Sequence, residues 1–308
     1  MLSLNFAEID ILTSLRGHRR VDHINDDMPI NREVHVTPPA AASSESVPTE
    51  SVEVSVVIPC LNEAKSLEFC IRKARSAFES ADIRGEVVVA DNGSTDGSVE
   101  IATALGARVI QVKNKGYGAA LTGGIAAARG EFIIMGDGDD SYDFSAVPEF
   151  VRKWREGYDV VMGNRFRGEI KTGAMPWSHK YIGNPGFTAL INLFFRTGFG
   201  DCLCGMRGFA RAAYDRLDLQ CAGMEWAPEF DIEAALADLR MTEIPIVLWP
   251  DKRGRPPHLR RFIDGWLTLR FILSKAAETF STRWMAAQKP HASRSFLPKV
   301  NSERTDGE

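Results

Sequence analysis

Four aspartates stand close together in the stretch IIMGDGDDSYD, which runs from residue 133 to residue 143. They are Asp137, Asp139, Asp140 and Asp143, and they follow directly on an apolar run. Like charges this close repel one another unless a positive group binds among them. Two carboxylates in an Asp-x-Asp arrangement supply the hard oxygen ligands that Mg²⁺ and Mn²⁺ prefer. We therefore predict a divalent metal site at Asp137 and Asp139.

Two other structures would also place acidic residues at this spacing. A calcium-binding EF-hand loop is excluded, because its sixth position would be Tyr142 rather than glycine and its twelfth Pro148 rather than glutamate. An acidic turn that caps a helix beginning near Ser145 remains open. The metal site is favoured because the acids follow an apolar run, and neighbouring runs of the same kind also end in polar residues.

Polar side chains follow two earlier apolar runs. Asn62 and Glu63 come after VSVVI (54–58), and Asp91 begins a turn-rich stretch after EVVVA (86–90). Asp91 could accept hydrogen bonds from a nucleotide base, whereas one of the polar residues that follow it caps the next helix.

The glycine-rich stretch NKGYGAALTGG (114–124) is similar at first sight to a dinucleotide-binding motif. Leu121 stands where the third glycine of that motif is required, so we reject an NAD site. Close packing of a helix against a sheet explains Gly116 and Gly118. Lys115, in the same stretch, could reach a phosphate or a base.

Five apolar runs alternate with helical patterns. They cover residues 54–58, 86–90, 107–112, 131–135 and 158–162. This alternation predicts an α/β fold, in which a mostly parallel, Rossmann-like sheet is sandwiched by helices in a single domain. Ligands of such sheets bind beyond the carboxyl ends of the strands. We therefore expect Asn62, Asp91 and Asp137 to meet in one crevice.

The composition of the 308 residues excludes several classes of protein. A formal net charge of −4 provides no reason to expect nucleic-acid binding. Five cysteines without a CxxC pair indicate a reducing compartment and no disulfide framework. The first residues lack the features of a signal peptide, and no apolar run reaches the length of a transmembrane helix. We expect a cytoplasmic protein.

Four segments are expected along the chain. Residues 1–52 form a disordered leader, because the stretch 37–51 is rich in proline, serine and alanine. The folded domain covers residues 53–250. A basic loop and an amphipathic helix occupy residues 251–280, and residues 281–308 form a polar, disordered tail.

The segment DKRGRPPHLRR (251–261) is strongly basic and precedes a helix with an apolar face, expected from about residue 262 to residue 280. Basic residues beside an apolar face suit the anionic headgroups of a membrane interface. Packing of the helix onto the core of the protein would explain the apolar face equally well, so both interpretations stay open.

Several of these motifs together resemble family 2 glycosyltransferases, which have the GT-A fold. SVVIPCLNEAKSL (55–67) is similar to the opening strand and turn of that family, ADNGSTDGS (90–98) to its nucleotide-contacting turn, and GDGDDSYD (136–143) to its metal-binding DxD motif. The branch that this chain most resembles is that of dolichyl-phosphate mannosyltransferase and the bacterial polyprenyl-phosphate sugar synthases, on the set GYGAAL, MGDGDDSYDF, MGNRF, YIGNP, LCGMRGF and RPPHLR. The resemblance covers roughly residues 53 to 275.

The resemblance implies a role for particular residues. The nucleotide-sugar pocket would contain Pro59, Asn62, Glu63, Asp91, Lys115, Asp137 and Arg165. Asp137 and Asp139 would bind Mg²⁺ or Mn²⁺ and hold the diphosphate of the donor. The catalytic set would be Asp139, Asp140, Arg207 and Glu229. The acceptor phosphate would be approached by Arg255, His258 and Arg260.

The resemblance also implies a reaction: transfer of a sugar from a UDP- or GDP-linked donor to a polyprenyl phosphate, with inversion, by a protein peripheral to the inner face of the cell membrane. A phosphate acceptor is already largely ionised near neutral pH and needs no base. A hydroxyl acceptor, on a glycolipid or a polysaccharide, is the alternative and does need one. Glu229 is the only plausible counterpart of the family's base. A nucleotide-sugar-binding protein without catalysis and a nucleotidyltransferase are two further alternatives. The intact acid pair disfavours the first, and the lack of a glycine-rich phosphate loop disfavours the second.

Overall fold

The structure is a computed structural model that describes residues 51–254 and 261–287. Its strands are β1 (Val54–Cys60), β2 (Gly85–Asp91), β3 (Arg108–Gln111), β4 (Phe132–Met135), β5 (Val160–Ile170), β6 (Arg207–Ala210) and β7 (Met241–Leu248). Its α-helices are α1 (Leu67–Ser80), α2 (Ser98–Ala104), α3 (Tyr117–Ala127), α4 (Val147–Arg155), α5 (Asn184–Phe195), α6 (Arg211–Tyr214), α7 (Trp226–Leu236) and α8 (Arg261–Ala287). A 3₁₀ turn at Phe144–Ala146 leads into α4, and a π-helical turn at His179–Gly183 leads into α5.

In the described part of the chain, seven strands form one sheet in the order β3-β2-β1-β4-β6-β5-β7. β6 runs antiparallel to both of its neighbours, and the other pairs are parallel. All described residues belong to one compact unit. The predicted α/β fold with a mostly parallel sheet is confirmed. Cys60 pairs with Asp91 and Val57 with Met135, so β1, β2 and β4 end at the same edge of the sheet.

The sheet is buried on both faces. Successive residues of a strand point to opposite faces, and Val56, Val57 and Ile58 of β1 are all fully buried. Helix α1 covers part of this surface with apolar residues three and four positions apart, which lie on one side of a helix. They are Leu67, Cys70, Ile71, Ala74, Ala77 and Phe78. The predicted core strands and first helix are therefore present.

β1 continues through Pro59 to Cys60, whereas the sequence predicts that it ends before the proline. The pairing of β1 with β4 ends at Val57, so at Pro59 the strand has a partner on one side only. A residue without an N–H group is tolerated at such an edge. The extension places Asn62 and Glu63 immediately beyond the end of the strand.

β6 is absent from the sequence-based prediction. It has only four residues, RGFA, and begins with the charged Arg207. Gly208 allows it to fit between β4 and β5, because a Cβ atom there would lie 2.6 Å from a ring atom of Phe132. β5 also continues past its predicted end at residue 162 to Ile170, pairing with β7 across an irregularity. A short strand and a bulged strand carry too weak a local pattern to be recognised.

Helix α8 packs against α5 and α7. Thr268 and Ile272 on its inner side are buried. The exposed apolar residues of the helix are Ile263, Trp266, Leu273 and Phe280. Packing onto the core therefore accounts for only part of the apolar face. Within the described residues, no helix combines the length and the hydropathy needed to cross a membrane.

The predicted leader and tail lie outside the described residues except at their inner ends. The division of the chain into four segments therefore stays a prediction.

Candidate functional site

The loops after β1 and β2 are joined to each other at the carboxyl edge of the sheet. The Asn62 N–H donates to Ser94 Oγ (2.9 Å), and the Thr95 N–H donates to Asn62 Oδ1 (2.8 Å). The Glu63 N–H donates to Ser98 Oγ (2.9 Å). Asn62 has a positive φ of 60°, a conformation that asparagine tolerates better than most residues. The structure thus brings the first two groups of predicted site residues together.

Asp91 is almost fully buried at the end of β2. Its carboxylate accepts hydrogen bonds from the backbone N–H groups of Gly93 (3.0 Å) and Ser94 (3.1 Å). Asp91 therefore shapes the turn that faces β1, where its neighbour in the register is Cys60 and Pro59 pairs with Ala90. Contact between Asp91 and a nucleotide base stays a prediction.

Asn92 connects the turn after β2 to the loop after β3. Its side-chain amide donates to the carbonyls of Val112 (3.0 Å) and Asn114 (2.7 Å), and its Oδ1 accepts from the Gly116 N–H (3.0 Å). The exposed Lys115 donates from Nζ to the Asn92 carbonyl. The predicted nucleotide-pocket residue Lys115 thus lies beside the turn that Asp91 shapes.

Asp137, the first acid of the Asp-x-Asp pair, lies two residues beyond the end of β4. Its Oδ1 accepts a hydrogen bond from the Tyr117 hydroxyl at 3.0 Å. Burial raises the pKa of Asp137, although the Tyr117 hydrogen bond and nearby arginines act in the opposite direction. Tyr117 is the first residue of α3, so the glycine-rich stretch contributes a side chain to the acid cluster.

Asp139, the second acid of the pair, is 4% exposed and has both carboxylate oxygens engaged. Oδ1 accepts from the Ser141 N–H at 2.9 Å, and Oδ2 accepts from Nη2 of Arg253. The Arg253 guanidinium also lies 3.9 Å from Glu63 Oε1. One arginine therefore joins the second acid to the loop after β1.

Asp140 is buried in the left-handed conformation, with φ of 61°. Its Oδ1 accepts from Lys73 Nζ at 2.9 Å, and its Oδ2 lies 2.6 Å from Lys252 Nζ. Lys252 also lies over the ring of Phe69, 4.5 Å from its centroid. Asp140, which the family resemblance places in the catalytic set, is therefore neutralised by two lysines in this structure.

The chain after β7 runs along the acid cluster. The Trp249 N–H donates to the Ser141 carbonyl (2.8 Å), and the Lys252 N–H donates to the Asp139 carbonyl (2.9 Å). Tyr142 forms an isolated antiparallel bridge with Leu248. The described part of the basic segment, residues 251–254, therefore lies directly against the Asp-x-Asp pair.

The chemistry of the acid pair fits a divalent cation. Among the described residues, no group of three or more His, Cys, Asp or Glu side chains forms a ready metal cage. Mg²⁺ is commonly held by one or two carboxylates, with water and phosphate oxygens completing its shell. Asp137 and Asp139 provide two such carboxylates, and the contacts of Arg253 at Asp139 indicate a place where positive charge is stabilised. A bound diphosphate would supply the remaining oxygens.

Arg165 is buried near the acid cluster, but its guanidinium forms an ion pair. Nε and Nη2 donate to the two carboxylate oxygens of Asp201, each at 2.7 Å, and both side chains are nearly inaccessible. Arg165 Nη1 also lies 3.5 Å from the Tyr142 hydroxyl, which accepts from the Gly205 N–H. These contacts favour a structural role for Arg165, and its place in the nucleotide-sugar pocket stays a prediction.

Arg207 is fully buried in β6. It donates to the carbonyls of Cys204 (2.6 Å) and Ala227 (3.0 Å) and to Asp231 Oδ1 (3.0 Å). Its guanidinium lies 5.4 Å from the centroid of the Phe230 ring. Burial raises the pKa of Asp231 to about 7, although the neighbouring Arg207 acts to lower it. Arg207 therefore connects the sheet to α7, and its predicted catalytic role is untested.

Glu229 is 2% exposed and belongs to α7. Its two carboxylate oxygens accept hydrogen bonds from the backbone N–H groups of Gln220 (3.0 Å) and Cys221 (2.8 Å). Both oxygens are engaged by the backbone and the side chain is almost inaccessible, which favours a structural role. The catalytic role given to Glu229 stays a prediction.

The three predicted acceptor residues, Arg255, His258 and Arg260, lie outside the described residues. Other contributors to the site were not predicted from the sequence: Tyr117, Lys73, Asp201 and the contacts of Lys252 and Arg253 with the acid cluster. The basic run was visible in the sequence, but its partner was not. Lys73 and Tyr117 carried no recognisable signal.

Comparison with known proteins identifies the family. The family model described as "Glycosyl transferase family 2" matches residues 55–218. The "Low-salt glycan biosynthesis hexosyltransferase Agl6" of Haloferax volcanii is 42% identical over 237 residues, which are 77% of this chain and 56% of that protein. A "Dolichyl-phosphate hexose transferase" of the same organism is 32% identical over 166 residues, 54% of this chain and 70% of that protein. This chain thus spans little more than half the length of the first relative.

A solved structure supports the fold. The glucosyl-3-phosphoglycerate synthase of Mycobacterium tuberculosis, solved with Mn²⁺, UDP-glucose and phosphoglyceric acid, has a TM-score of 0.57 at 22% identity. The match covers 73% of this chain and 80% of that chain. The fold is therefore of the GT-A type. Taken with the family model and the 42% identical relative, this shows that the chain belongs to glycosyl transferase family 2.

Proposed function

We propose that this protein transfers a hexose from a nucleoside diphosphate sugar to a polyprenyl phosphate, with Mg²⁺ or Mn²⁺ and with inversion at the anomeric carbon. The observation that carries the proposal is the position of the acid pair. Asp137 and Asp139 follow β4, beside the loops after β1 and β2, and the basic residues Lys252 and Arg253 lie against them.

The relatives support this choice of donor and acceptor. One relative of this chain is a dolichyl-phosphate hexose transferase, and the structural neighbour was solved with Mn²⁺ and UDP-glucose. The loops around Asn62, Asp91 and Lys115 form the expected place for the nucleotide in a sheet of this topology.

Each group of residues would have its own role in the reaction. Asp137 and Asp139 would hold a metal ion, and that ion would neutralise the charge that develops on the leaving diphosphate. Lys252 and Arg253 lie where they would attract the negatively charged acceptor phosphate. An oxygen of that phosphate attacks the anomeric carbon, and the bond from this carbon to the diphosphate oxygen breaks on the opposite face. The attack inverts the configuration.

The contacts of Glu229 support a phosphate acceptor over a hydroxyl acceptor. Both oxygens of Glu229 accept backbone hydrogen bonds, so this carboxylate is poorly placed to remove a proton from a sugar hydroxyl. A phosphate monoester needs no such base, because it is already largely ionised near neutral pH.

The proposal includes peripheral contact with the inner face of the cell membrane, where a polyprenyl phosphate would be available. The exposed apolar residues of α8 supply the main support, because they follow one another at helical spacing on the side away from α5 and α7. Trp177, Tyr181 and Ile182, just before α5, are also exposed.

The test is transfer of labelled sugar from UDP-glucose, UDP-galactose or GDP-mannose to a polyprenyl phosphate, followed by organic extraction. Wild-type protein with Mg²⁺ or Mn²⁺ should label the lipid phase, and EDTA should abolish the label. Asp139→Asn should lower the rate by a factor of about 100 or more. Asp143→Asn is the matched control, because Asp143 is in the same acidic stretch but caps the 3₁₀ turn.

Three outcomes would contradict the proposal. Lipid label formed at the wild-type rate by Asp139→Asn would rule out the acid pair as the metal site. A product with retained configuration would rule out the single displacement. Donor turnover without lipid label would point to a hydroxyl acceptor on a glycolipid or polysaccharide. In that case Glu229→Gln should abolish turnover and leave donor binding intact.

A further inference from the structure

We propose that Tyr117 is a positioning residue for the metal-binding carboxylate of Asp137, and that Glu229 holds Tyr117 in place through residues 220–223. The proposal rests on the metal-dependent transfer described above. It gives Glu229 a positioning role in place of the proton transfer that the family resemblance implies.

The first step is the contact at the acid pair. The Tyr117 hydroxyl donates to Oδ1 of Asp137 at 3.0 Å. This hydrogen bond fixes the rotation of the carboxylate and engages one of its two oxygens. Hydrogen bonds that orient a metal ligand from outside the metal shell contribute strongly to metal affinity. Tyr117 is therefore placed to fix the orientation of the Asp137 carboxylate toward a bound cation.

The second step is the start of α3, where Tyr117 is the first residue. The first N–H groups of a helix have no partner within the helix. Here the Gly118 N–H donates to the Gly223 carbonyl (3.2 Å), and the Ala119 N–H donates to the Ala222 carbonyl (3.1 Å). Residues 220–223 thus cap α3 directly beside Tyr117.

The contact between this cap and the helix is tight. A Cβ atom at Gly116 would lie 2.2 Å from the Ala222 carbonyl oxygen, and one at Gly118 would lie 2.5 Å from the Cys221 carbonyl oxygen. No side chain fits between the two backbones. A displacement of residues 220–223 would therefore displace the first turn of α3 with them.

The third step is Glu229. Its oxygens accept from the N–H groups of Gln220 and Cys221, at 3.0 and 2.8 Å, so that both oxygens hold the cap. The side chain is 2% exposed, which keeps water from replacing either contact. Hydrogen bonds and close packing thus connect Glu229 to residues 220–223, to the start of α3, to Tyr117 and finally to Asp137.

The experiment compares Tyr117→Phe, Glu229→Gln and the double variant. Mn²⁺ binding is titrated by electron paramagnetic resonance with UDP at a fixed concentration, and UDP affinity is measured separately without metal. Tyr158→Phe is the control for the tyrosine, because Tyr158 lies between Lys153 and Arg240. Glu233→Gln is the control for the glutamate, because Glu233 is one turn along α7 and pairs with Lys275.

Tyr117→Phe should weaken Mn²⁺ binding about tenfold, at the lower end of the effect of removing an outer-shell partner. UDP affinity without metal should stay at the wild-type value, and the variant should remain folded under the assay conditions. Glu229→Gln should also weaken Mn²⁺ binding, and the double variant should bind it about as well as Tyr117→Phe alone, since the two residues act through one contact. Both control variants should bind Mn²⁺ as the wild type does.

Wild-type Mn²⁺ affinity in Tyr117→Phe would overturn the proposal. So would a double variant whose loss of Mn²⁺-binding free energy equals the sum of the losses in the two single variants. If Glu229→Gln does not fold, Tyr117→Phe alone decides the role of the tyrosine. A wild-type protein that binds no Mn²⁺ would overturn the proposed metal-dependent function itself, and this proposal with it. If instead the wild type and Tyr117→Phe bind Mn²⁺ equally well, only the positioning role of Tyr117 is overturned, and the metal-dependent function is not.

Discussion

The guanidinium of Arg253 donates a hydrogen bond to Oδ2 of Asp139, the second acid of the Asp-x-Asp pair. The other oxygen of this carboxylate accepts from the Ser141 N–H, a contact within the same tight turn. A metal ion that binds Asp139 must therefore compete mainly with Arg253. The part of the chain that follows β7 thus neutralises the acid pair in this conformation.

Replacement of this arginine should make metal binding tighter. Arg253→Gln is expected to lower the Kd for Mn²⁺ about tenfold, because a partly buried hydrogen bond to a charged group contributes roughly 1.5 kcal/mol. Calorimetric titration with Mn²⁺ in the absence of nucleotide measures the change. Lys65→Gln is the control, because Lys65 is exposed and its ammonium group lies near Gly254, the residue after Arg253. An equal gain in both variants would mean that general charge, and not the contact with Asp139, is responsible.

The buried pair of Arg165 and Asp201 should be important for stability. Asp201→Asn leaves the Arg165 charge without its partner in a site where the two side chains are 8% and 0% exposed. The free energy of unfolding should fall by about 3–5 kcal/mol. Urea titration tests this against Glu169→Gln, which breaks the partly exposed pair with Lys171 and should cost less than about 1 kcal/mol. An equally small loss of unfolding free energy in both variants would show that Arg165 is free to bind another partner, such as a phosphate.

Glu86 should make stability depend on pH in the acidic range. Burial acts to raise the pKa of Glu86, but hydrogen bonds from Ser55, the Arg129 N–H and Arg108 outweigh it, so the pKa is lowered. The unfolded chain then binds more protons than the folded chain at acidic pH. Stability from Glu86 is complete above its ordinary pKa of about 4.3 and is lost as the pH falls below that value.

Glu86→Gln should therefore be less stable than the wild type at pH 7 by about 1–3 kcal/mol, with a smaller difference at pH 3.5. Chemical unfolding at the two pH values measures this. Glu79→Gln provides the comparison, because Glu79 is an exposed glutamate at the end of α1. A difference that stays constant with pH would mean that the Glu86 contacts do not favour the ionised form.

The exposed side of α8 should bind a membrane surface. The double variant Ile263→Ser, Trp266→Ser removes two side chains that are 51% and 65% exposed. Its partition onto vesicles of phosphatidylcholine and phosphatidylglycerol should fall at least about tenfold, because each apolar side chain contributes roughly 1.5–3 kcal/mol when buried. Vesicle co-sedimentation measures the partition, with Leu236→Ser on α7 as the control. Equal sedimentation of all three proteins would contradict membrane contact through α8.

Much of the fold was predictable because its signals are local. Val56, Val57 and Ile58 belong to a short, apolar, β-branched run, which favours a buried strand, and the acids at Asp137 and Asp139 follow such a run directly. β6 was not predictable in this way. Its four residues owe their conformation to two neighbouring strands. The charge of Arg207 is tolerated there because Asp231 and the carbonyls of Cys204 and Ala227 accept its hydrogen bonds.

The candidate site also combines features that the local sequence determines with features that only the tertiary structure decides. The types and spacing of the acids, and the turns after the first two strands, were determined by the sequence by itself, because a side chain's chemistry and a strand end are properties of a few consecutive residues. The partner of each charge depends on which distant segments the sheet order brings together. Arg253 and Asp139 are 114 positions apart, and Tyr117 and Asp137 are 20 apart on different elements. Burial in the folded chain then decides which of these charges must be paired, since an unpaired charge away from water is strongly unfavourable.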